Sequence, residues 1–299
     1  RLSLVGSEMC IRDRYKSPEF QDFFFVMKVA IQGIKGSYHH QVAIEFFSDD
    51  IEIDECMSFD ALIESLIEDK SDFGVMAIEN SIAGSIIPNY SLIDKYGLSI
   101  IGEHYININH NLMVYPGVKL NDVKFISSHP MALLQCKDFI KNSKKTIVED
   151  RDTADVAKRI IENKIIDTAA IASFQASELY GLEIIKRNIQ TIKDNETRFV
   201  IISKKSNNGD KLDLNKASLK FILSHENGSL AQILNILANH NQNLTKIQSI
   251  PIIETPWKYS FFVDLTFKDY DNYKKAIDEV TKSSELVKEF GVYLNFKSK

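Results

Sequence analysis

Lys28-Val29-Ala30-Ile31, running into Gly33-Ile34-Lys35-Gly36-Ser37, is the stretch on which the fold turns. A short apolar run of strand length meets a two-glycine turn, and Gly36-Ser37 then opens a helical segment through Phe47. Strand, glycine turn and helix in that order begin an α/β unit. The alternation continues outward to about Lys204. Ser58 caps a helix with Leu62, Ile63, Leu66 and Ile67 at helical spacing, and strands are expected at Phe73–Ile78 and Leu98–Ile101. Further on the spacing predicts strands at Lys124–Ser127, Thr146–Glu149 and Ala169–Ala172, and helices over Met131–Asn142 and Ala154–Glu162. Phe199-Val200-Ile201-Ile202 closes this part. The pattern is that of α/β units on largely parallel sheets.

Lys204–Lys216 is polar, carries an Asn-Gly turn signal and has no apolar period, so it reads as a linker. Beyond it the register changes. A strand at Leu219–Leu223 leads to a helix with Leu230, Ile233, Leu234 and Leu237 on one face, then to strands at Leu244–Ile253 and Tyr259–Thr266. A helix grouping Tyr273, Ala276, Ile277 and Val280 and a strand near Val292–Phe296 complete a βαββαβ order, the ferredoxin-like arrangement. That order does not by itself specify a function.

The 299 residues are 44% hydrophobic and 26% charged, enough for about two domains with ordinary cores. With 36 basic and 41 acidic residues the net charge is −5, and no basic block is long enough to track phosphates, which argues against nucleic acid as a partner. Three cysteines, Cys10, Cys56 and Cys136, show neither metal spacing nor a disulfide framework and suit a reducing, cytoplasmic setting. No stretch approaches the ~18 apolar residues of a membrane span, and Phe23–Met27 is too short and too acidic in its flank for an export signal. Residues 1–14 have no helical or strand period and resemble translated adapter sequence. We therefore expect a native start at Met27, with 1–26 a non-native or disordered leader. The remaining 273 residues keep the same net charge, 32 basic against 37 acidic.

Several segments carry groups capable of chemistry. His39-His40 cannot converge on one metal ion, because neighbours on a helix diverge by ~100°, and no metal is expected. Gly33–Ser37 lacks the spacing of a phosphate loop. Its backbone N–H groups suit a carboxylate, and an ordinary tight turn explains it equally. Ile78–Ser85 packs Glu79, Asn80, Ser81 and Ser85 into a small-residue loop after a strand, where α/β sheets bind ligands and where helix caps also occur. Ser128-His129-Pro130 repeats that layout, with Gln135 and Cys136 further along. Asn195–Phe199 precedes a strongly apolar strand, and taken alone it reads as a solvated strand edge. Trp257, the lone tryptophan, has no visible cage and is assigned to packing.

Read together these segments resemble a prephenate dehydratase with a C-terminal ACT regulatory domain. The resemblance rests on Gly33-x-x-Gly36-Ser37-Tyr38, Ile78-Glu79-Asn80-Ser81-x-x-Gly84, His110-Asn111-Leu112 and Ser128-His129-Pro130-x-Ala132-Leu133-x-Gln135-Cys136. It continues through Ala169–Ser173, Tyr180-Gly181-Leu182, Asn188-Ile189-Gln190 and Asn195-x-Thr197-Arg198-Phe199. Each piece is weak alone; their common order is specific. Ile34 stands where the family usually has proline, which loosens the loop and removes no donor.

The resemblance implies a two-lobed catalytic unit at 27–204 like the type II periplasmic-binding-protein fold, a linker at 205–216 and an ACT domain at 217–299. It implies decarboxylating dehydration of prephenate without a cofactor, with Thr197 as the catalytic residue. A fixed hydroxyl aimed at the leaving oxygen stabilises charge that develops only in the transition state. Asn80, Ser81, Ser128 and Gln135 are carried over as hydrogen-bond donors to substrate, and Gly36 and Ser37 as donors from a helix N-terminus. A strong cation belongs on the pyruvyl carboxylate, since gripping the ring carboxylate would oppose its loss as CO2. Arg198 is the nearest cation. Adjacent strand residues face opposite ways, so it reaches the ligand of Thr197 only through a strand start or bulge; otherwise it braces the lobes by an ion pair.

Regulation follows from the same resemblance. The family binds L-phenylalanine at a subunit interface of the ACT domain, and the matching positions are Gly228, Ser229, Leu230 and Ala231, then Gln248, Ser249 and Pro251. Gln248 replaces the family's glutamate and Ile250 its arginine, a paired loss that strands no charge. A homodimer or homotetramer is expected from edge-to-edge pairing of ACT sheets. Arogenate dehydratase is the competing enzyme reading, while a non-catalytic small-molecule binding or sensor protein fits less well with intact cleft motifs. No dinucleotide fingerprint supports dehydrogenase activity, and no long N-terminal helical segment supports mutase activity.

Overall fold

The computed structural model describes residues 26–206, 214–252, 255 and 258–298. The leader at 1–25, the middle of the linker and Trp257 lie outside the described residues. The first lobe comprises β1 (Met27–Gln32), α1 (Tyr38–Phe47), β2 (Ile51–Cys56), α2 (Phe59–Ile67), β3 (Phe73–Asn80), the two-residue β4 (Gly84–Ser85), α3 (Ile87–Lys95) and β5 (Ser99–Asn107). The second contains β6 (Asn111–Val114), β7 (Phe125–Ser128), α4 (Pro130–Gln135), α5 (Lys137–Ser143), β8 (Thr146–Glu149), α6 (Thr153–Glu162), β9 (Thr168–Ala172), α7 (Phe174–Tyr180) and β10 (Glu183–Lys186). The chain then returns to the first lobe as β11 (Glu196–Ser203).

Both sheets are mixed rather than largely parallel. In the first, ordered β2-β1-β3-β11-β5, β1 runs parallel to β2 and β3 while β11 is antiparallel to both of its neighbours. In the second, ordered β10-β6-β9-β7-β8, β7 is parallel to β8 and β9, and β6 is antiparallel to β9 and β10. In the first sheet the physical cause is the return crossing, which brings β11 back into the middle of the sheet against the direction of β3; in the second it is β6, which enters from the other lobe against β9 and β10. Strand β2 is an addition to the expected elements, although Ile51-Glu52-Ile53-Asp54-Glu55 alternates apolar and acidic residues as a half-buried edge strand does. The expected Met131–Asn142 helix breaks at Cys136, which caps α4 and precedes α5.

Two crossings join the lobes, from β5 to β6 and from β10 to β11, and they are bonded to each other. The Ile108 N–H donates to the Asn195 carbonyl at 2.6 Å and the Ile189 N–H to the His110 carbonyl at 2.8 Å. The His110 N–H donates to Gln190 Oε1 at 3.1 Å, and Gln190 Nε2 donates to Asn109 Oδ1 at 2.9 Å.

The C-terminal unit comprises β12 (Lys216–Ile222), α8 (Ser229–Asn239), β13 (Asn243–Pro251), β14 (Tyr259–Thr266), α9 (Tyr270–Lys282) and β15 (Leu286–Tyr293), in the expected βαββαβ order. The last strand begins earlier than the sequence pattern suggested. Its antiparallel sheet, ordered β13-β14-β12-β15, buries one face under the two helices and lays the other against the first lobe. Phe262, Phe290 and Tyr293 share one apolar core with Leu62, Met76, Tyr90, Ile93 and Ile100. At the contact of β15 with β5 a Cβ on Gly291 would stand 1.9 Å from the Ile100 carbonyl oxygen, so only glycine permits this approach. Among the described residues no helix is long and apolar enough to cross a membrane.

Candidate active site at the junction of the lobes

Strand β3 ends on Asn80, which pairs in register with Thr197 near the start of β11. After it the small-residue loop Ser81-Ile82-Ala83 turns back, Gly84 taking a left-handed φ of +81° in open space. Asn80 Oδ1 accepts from the backbone N–H groups of Ile82 at 3.0 Å and Ala83 at 2.8 Å. These two bonds fix which end of the amide is oxygen. Asn80 Nδ2 therefore donates, to Asn195 Oδ1 at 2.7 Å, to Thr197 Oγ1 at 2.9 Å and to the Glu196 carbonyl at 3.2 Å. Thr197, 7% exposed, is an acceptor in this pair, and its own proton goes to none of the described residues. The hydroxyl is thus left as a donor, the form that a departing oxygen requires.

The second lobe contributes Gln135 from the end of α4. Its Oε1 accepts from Asn195 Nδ2 at 3.0 Å and lies 2.8 Å from His110 Nε2. His110 is buried, and burial pushes its imidazole down to about 4, so it is neutral at physiological pH. Its Nδ1 lies 3.2 Å from the Tyr38 hydroxyl, which also donates to the Asn109 carbonyl at 2.9 Å. Both amide hydrogens of Gln135 remain without an acceptor among the described residues.

Several expected substrate donors are spent within the protein. All polar capacity of Asn80 goes to its own loop, Asn195, Glu196 and Thr197, so it holds Thr197 instead of reaching outward. Ser81 is tied to Glu196 through its N–H, which donates to that carbonyl at 2.8 Å, and its Oγ, which accepts the Glu196 N–H at 2.9 Å and keeps its own proton to donate. Ser128 is fully buried and donates to the Ile171 carbonyl at 2.6 Å, fastening β7 to β9. The Gly36 N–H donates to His40 Nδ1 at 3.1 Å, and the Ser37 N–H to the Ile34 carbonyl at 3.0 Å. Ser37 Oγ caps α1 by accepting the His40 N–H. The backbone N–H groups of Gly36 and Ser37 are thus spent within the protein, while the Ser37 hydroxyl proton is not. Ser173 Oγ donates to the Gly36 carbonyl at 2.6 Å, which makes this turn a contact between the lobes.

Arg198 is not in the cleft. The bulge in the β11–β3 pairing falls between Arg198 and Phe199, one residue too late to bring Thr197 and Arg198 to one face. Its guanidinium, 4% exposed, points to the C-terminal unit, donating through Nε to Glu103 Oε2 at 2.8 Å, to Asp264 Oδ2 and to the Tyr293 hydroxyl at 2.9 Å. Lys216 Nζ closes the cluster on Glu103 at 2.7 Å. Burial raises the Asp264 carboxyl, but the charges of Arg198 and Lys216 outweigh it and hold the group below the usual carboxylate range. Beside the cluster Lys246 pairs with Glu79 at 2.8 Å. The bracing reading of Arg198 thus describes its contacts, with the brace running to the C-terminal domain.

Asn195, His110 and Tyr38 were present in the sequence motifs without a role. Their signal was position: they lie at the lobe crossings or face them, which a linear reading does not reveal. Glu103 carried a clearer one, a charge inside the apolar run of β5. Among the described residues no group of His, Cys, Asp and Glu could hold a metal ion.

Residues 29–207 match the family model described as prephenate dehydratase. The bifunctional chorismate mutase/prephenate dehydratase of Buchnera aphidicola subsp. Acyrthosiphon pisum is 32% identical over 87% of this chain and 69% of its own length. The prephenate dehydratase of Methanocaldococcus jannaschii is 34% identical over 84% of this chain and 90% of its own. A crystal structure of prephenate dehydratase in complex with L-Phe from Arthrobacter aurescens superposes with a TM-score of 0.81, covering 91% of each chain at 24% identity, a likeness of fold.

Proposed function

This chain belongs to the prephenate dehydratase family, and we propose that Thr197 carries the family's reaction at the junction of the two lobes. The enzyme is a carbon–oxygen lyase of phenylalanine biosynthesis: prephenate loses its ring carboxylate as CO2 and its 4-hydroxyl as water, leaving phenylpyruvate. The electron pair of the breaking C–CO2 bond enters the ring as the C4–O bond opens. Aromatisation supplies the driving force, so the protein's task is to stabilise charge on the leaving oxygen. One observation carries the assignment to Thr197: Asn80 donates to Oγ1, which leaves the hydroxyl proton free to be aimed elsewhere. With Arg198 committed to Asp264 and Glu103, the uncommitted amide of Gln135 and the hydroxyl of Ser37 serve as neutral donors to substrate. Purified protein given prephenate should produce phenylpyruvate, followed by its alkaline absorbance, faster than it turns over arogenate. No turnover of either substrate would sink the reading.

The C-terminal unit is read as an ACT domain whose effector is L-phenylalanine. Its βαββαβ order supports this, as does the Arthrobacter relative whose structure holds L-Phe. Gly228 sits at the N-cap of α8 with φ +86°, followed by Ser229, Leu230 and Ala231, and α8 packs on the edge strand β13 that bears Gln248, Ser249 and Pro251. Ile250 packs toward the core shared with the first lobe, a place for an apolar side chain and not for the family's arginine. The unpaired edge of β13 is the surface on which copies of the chain would pair as a homodimer or homotetramer. The setting is cytoplasmic. Calorimetric titration with L-phenylalanine should give saturable heat and lower turnover; no heat together with uninhibited turnover would assign another effector.

A further inference from the structure

We infer that Asn195 is a positioning residue whose side-chain amide carries a single donor–acceptor direction from Asn80 and Thr197 across the lobe junction to Gln135, and so fixes which atoms the site offers to substrate.

The direction is set at one end by the main chain. Ile82 and Ala83 donate to Asn80, so its Oδ1 is oxygen and its Nδ2 must donate. Asn195 must then receive that bond through Oδ1, and its Nδ2 is left to donate to Gln135 Oε1. With Gln135 Oε1 an acceptor, His110 can only donate to it, which places the imidazole proton on Nε2 and leaves Nδ1 an acceptor 3.2 Å from the Tyr38 hydroxyl, whose single proton also faces the Asn109 carbonyl at 2.9 Å. Five side chains from both lobes and both crossings follow from two backbone N–H groups. The results at the site are two donors: the Thr197 proton, freed because Oγ1 accepts from Asn80, and the Gln135 amide hydrogens, turned away because Oε1 is doubly occupied. Both suit a dianionic substrate. Asn195 is fully buried and is the one described side chain that bonds both Asn80 and Gln135.

Reversing the direction at Asn195 inverts the Gln135 end. An ionised carboxyl there still accepts from Asn80 but cannot donate to Gln135, whose amide must flip and present oxygen outward. Protonation of that carboxyl restores one donor and one acceptor. Asn195→Asp is therefore a pH-switchable variant, and the experiment is the ratio of its kcat/KM on prephenate to that of the parent between about pH 8.5 and 5.5. The ratio should lie on the order of 10²-fold below one at the alkaline end, mainly through a raised KM, and climb at least about tenfold on acidification. Asn195→Ala should be impaired at every pH. A ratio for Asn195→Asp that stays level, or near one at pH 8.5, overturns the inference.

A second measurement on the unmodified protein does not depend on how the variant folds. Imidazole nitrogen NMR, with the His110 signal assigned by its loss in His110→Gln, should find the proton on Nε2; a proton on Nδ1 overturns the proposed direction. The inference rests on the dehydratase reading, and the two fail separately: an inactive parent defeats that reading, whereas an active parent with a level ratio or the other tautomer defeats only the role of Asn195.

Discussion

Thr197 and Arg198 are neighbours on β11 that serve opposite sides of one sheet: Thr197 Oγ1 is held by Asn80 at the lobe junction, and the Arg198 guanidinium is held by Asp264 of the C-terminal domain. A strand places consecutive side chains on opposite faces, so the residue assigned to chemistry and the residue that docks the C-terminal domain are separated by one peptide bond.

Replacing Thr197 by valine keeps its volume and removes the hydroxyl. Turnover of prephenate should fall by about 10²–10⁴-fold. Thr197→Ser, which retains an oxygen for Asn80 and a proton to donate, should recover most of that loss. Equal activity of the valine variant and the parent would remove Thr197 from the reaction.

Arg198→Leu leaves Glu103 and Asp264 facing Lys216 alone, a buried excess of negative charge. Urea denaturation should show a loss of about 3–5 kcal/mol, the usual result of removing one partner from a buried ion pair. Because the guanidinium does not enter the cleft, KM for prephenate should be unchanged in the folded fraction. A large rise in KM with undiminished stability would return Arg198 to the substrate.

Acid should destabilise the fold before it titrates the carboxylates. Burial lowers His39 to about 3 and His110 to about 4, from an ordinary value of 6.5. The unfolded chain binds these protons from about pH 6.5 downward while the folded chain does not, so stability is greatest above that pH and falls by about 1.4 kcal/mol per unit and per histidine until the folded values are reached. Asp264 adds a loss below its unfolded value of 3.8, where the unfolded chain takes up a proton that the depressed native carboxyl does not. Unfolding midpoints measured from pH 7.5 to 4 should decline steadily, and His110→Gln should flatten part of the slope. A profile level down to pH 4 would contradict the burial of both histidines in neutral form.

Gly291→Ala puts a methyl group where the Ile100 carbonyl oxygen stands. Both atoms belong to backbone, so neither can rotate away, and β15 must lift from β5. The C-terminal domain, which has its own apolar core, should stay folded but become separable, seen as a larger hydrodynamic radius and faster proteolysis near the linker. An unchanged radius and cleavage rate would show that the contact is slack.

What could be read in advance depended on how local its cause was. The βαββαβ order followed from apolar periods within single elements, whereas Thr197, in a motif that alone reads as a solvated strand edge, stood out only through the resemblance carried by all the motifs in order. The mixed direction of the sheets did not follow from such periods, because it arises from pairings distant in sequence: β11 crosses back between β3 and β5 in the first sheet, and β6 runs against β9 and β10 in the second. The donors expected of Asn80, Ser128 and Gly36 find their partners within the protein for a related reason. A polar residue at a strand end announces a hydrogen bond but not its partner, and buried groups here satisfy one another first. The fate of Arg198 was half visible: strand alternation set it opposite Thr197, while its partner Asp264 lies in a different domain.

The buried cluster between the domains has a division of ownership. The catalytic unit supplies one anion and one cation, Glu103 and Arg198, and the C-terminal unit supplies the same, Asp264 and Lys216. Each half can retain an internally neutral pair when the two surfaces part, Arg198 with Glu103 on one and Lys216 near Asp264 on the other. Around the cluster the ion pairs between the units share one polarity, Lys220 and Lys288 on Asp94, Lys246 on Glu79 and Lys297 on Glu196, so separation bares acid on the catalytic face and base on the other, and added salt should weaken the docking.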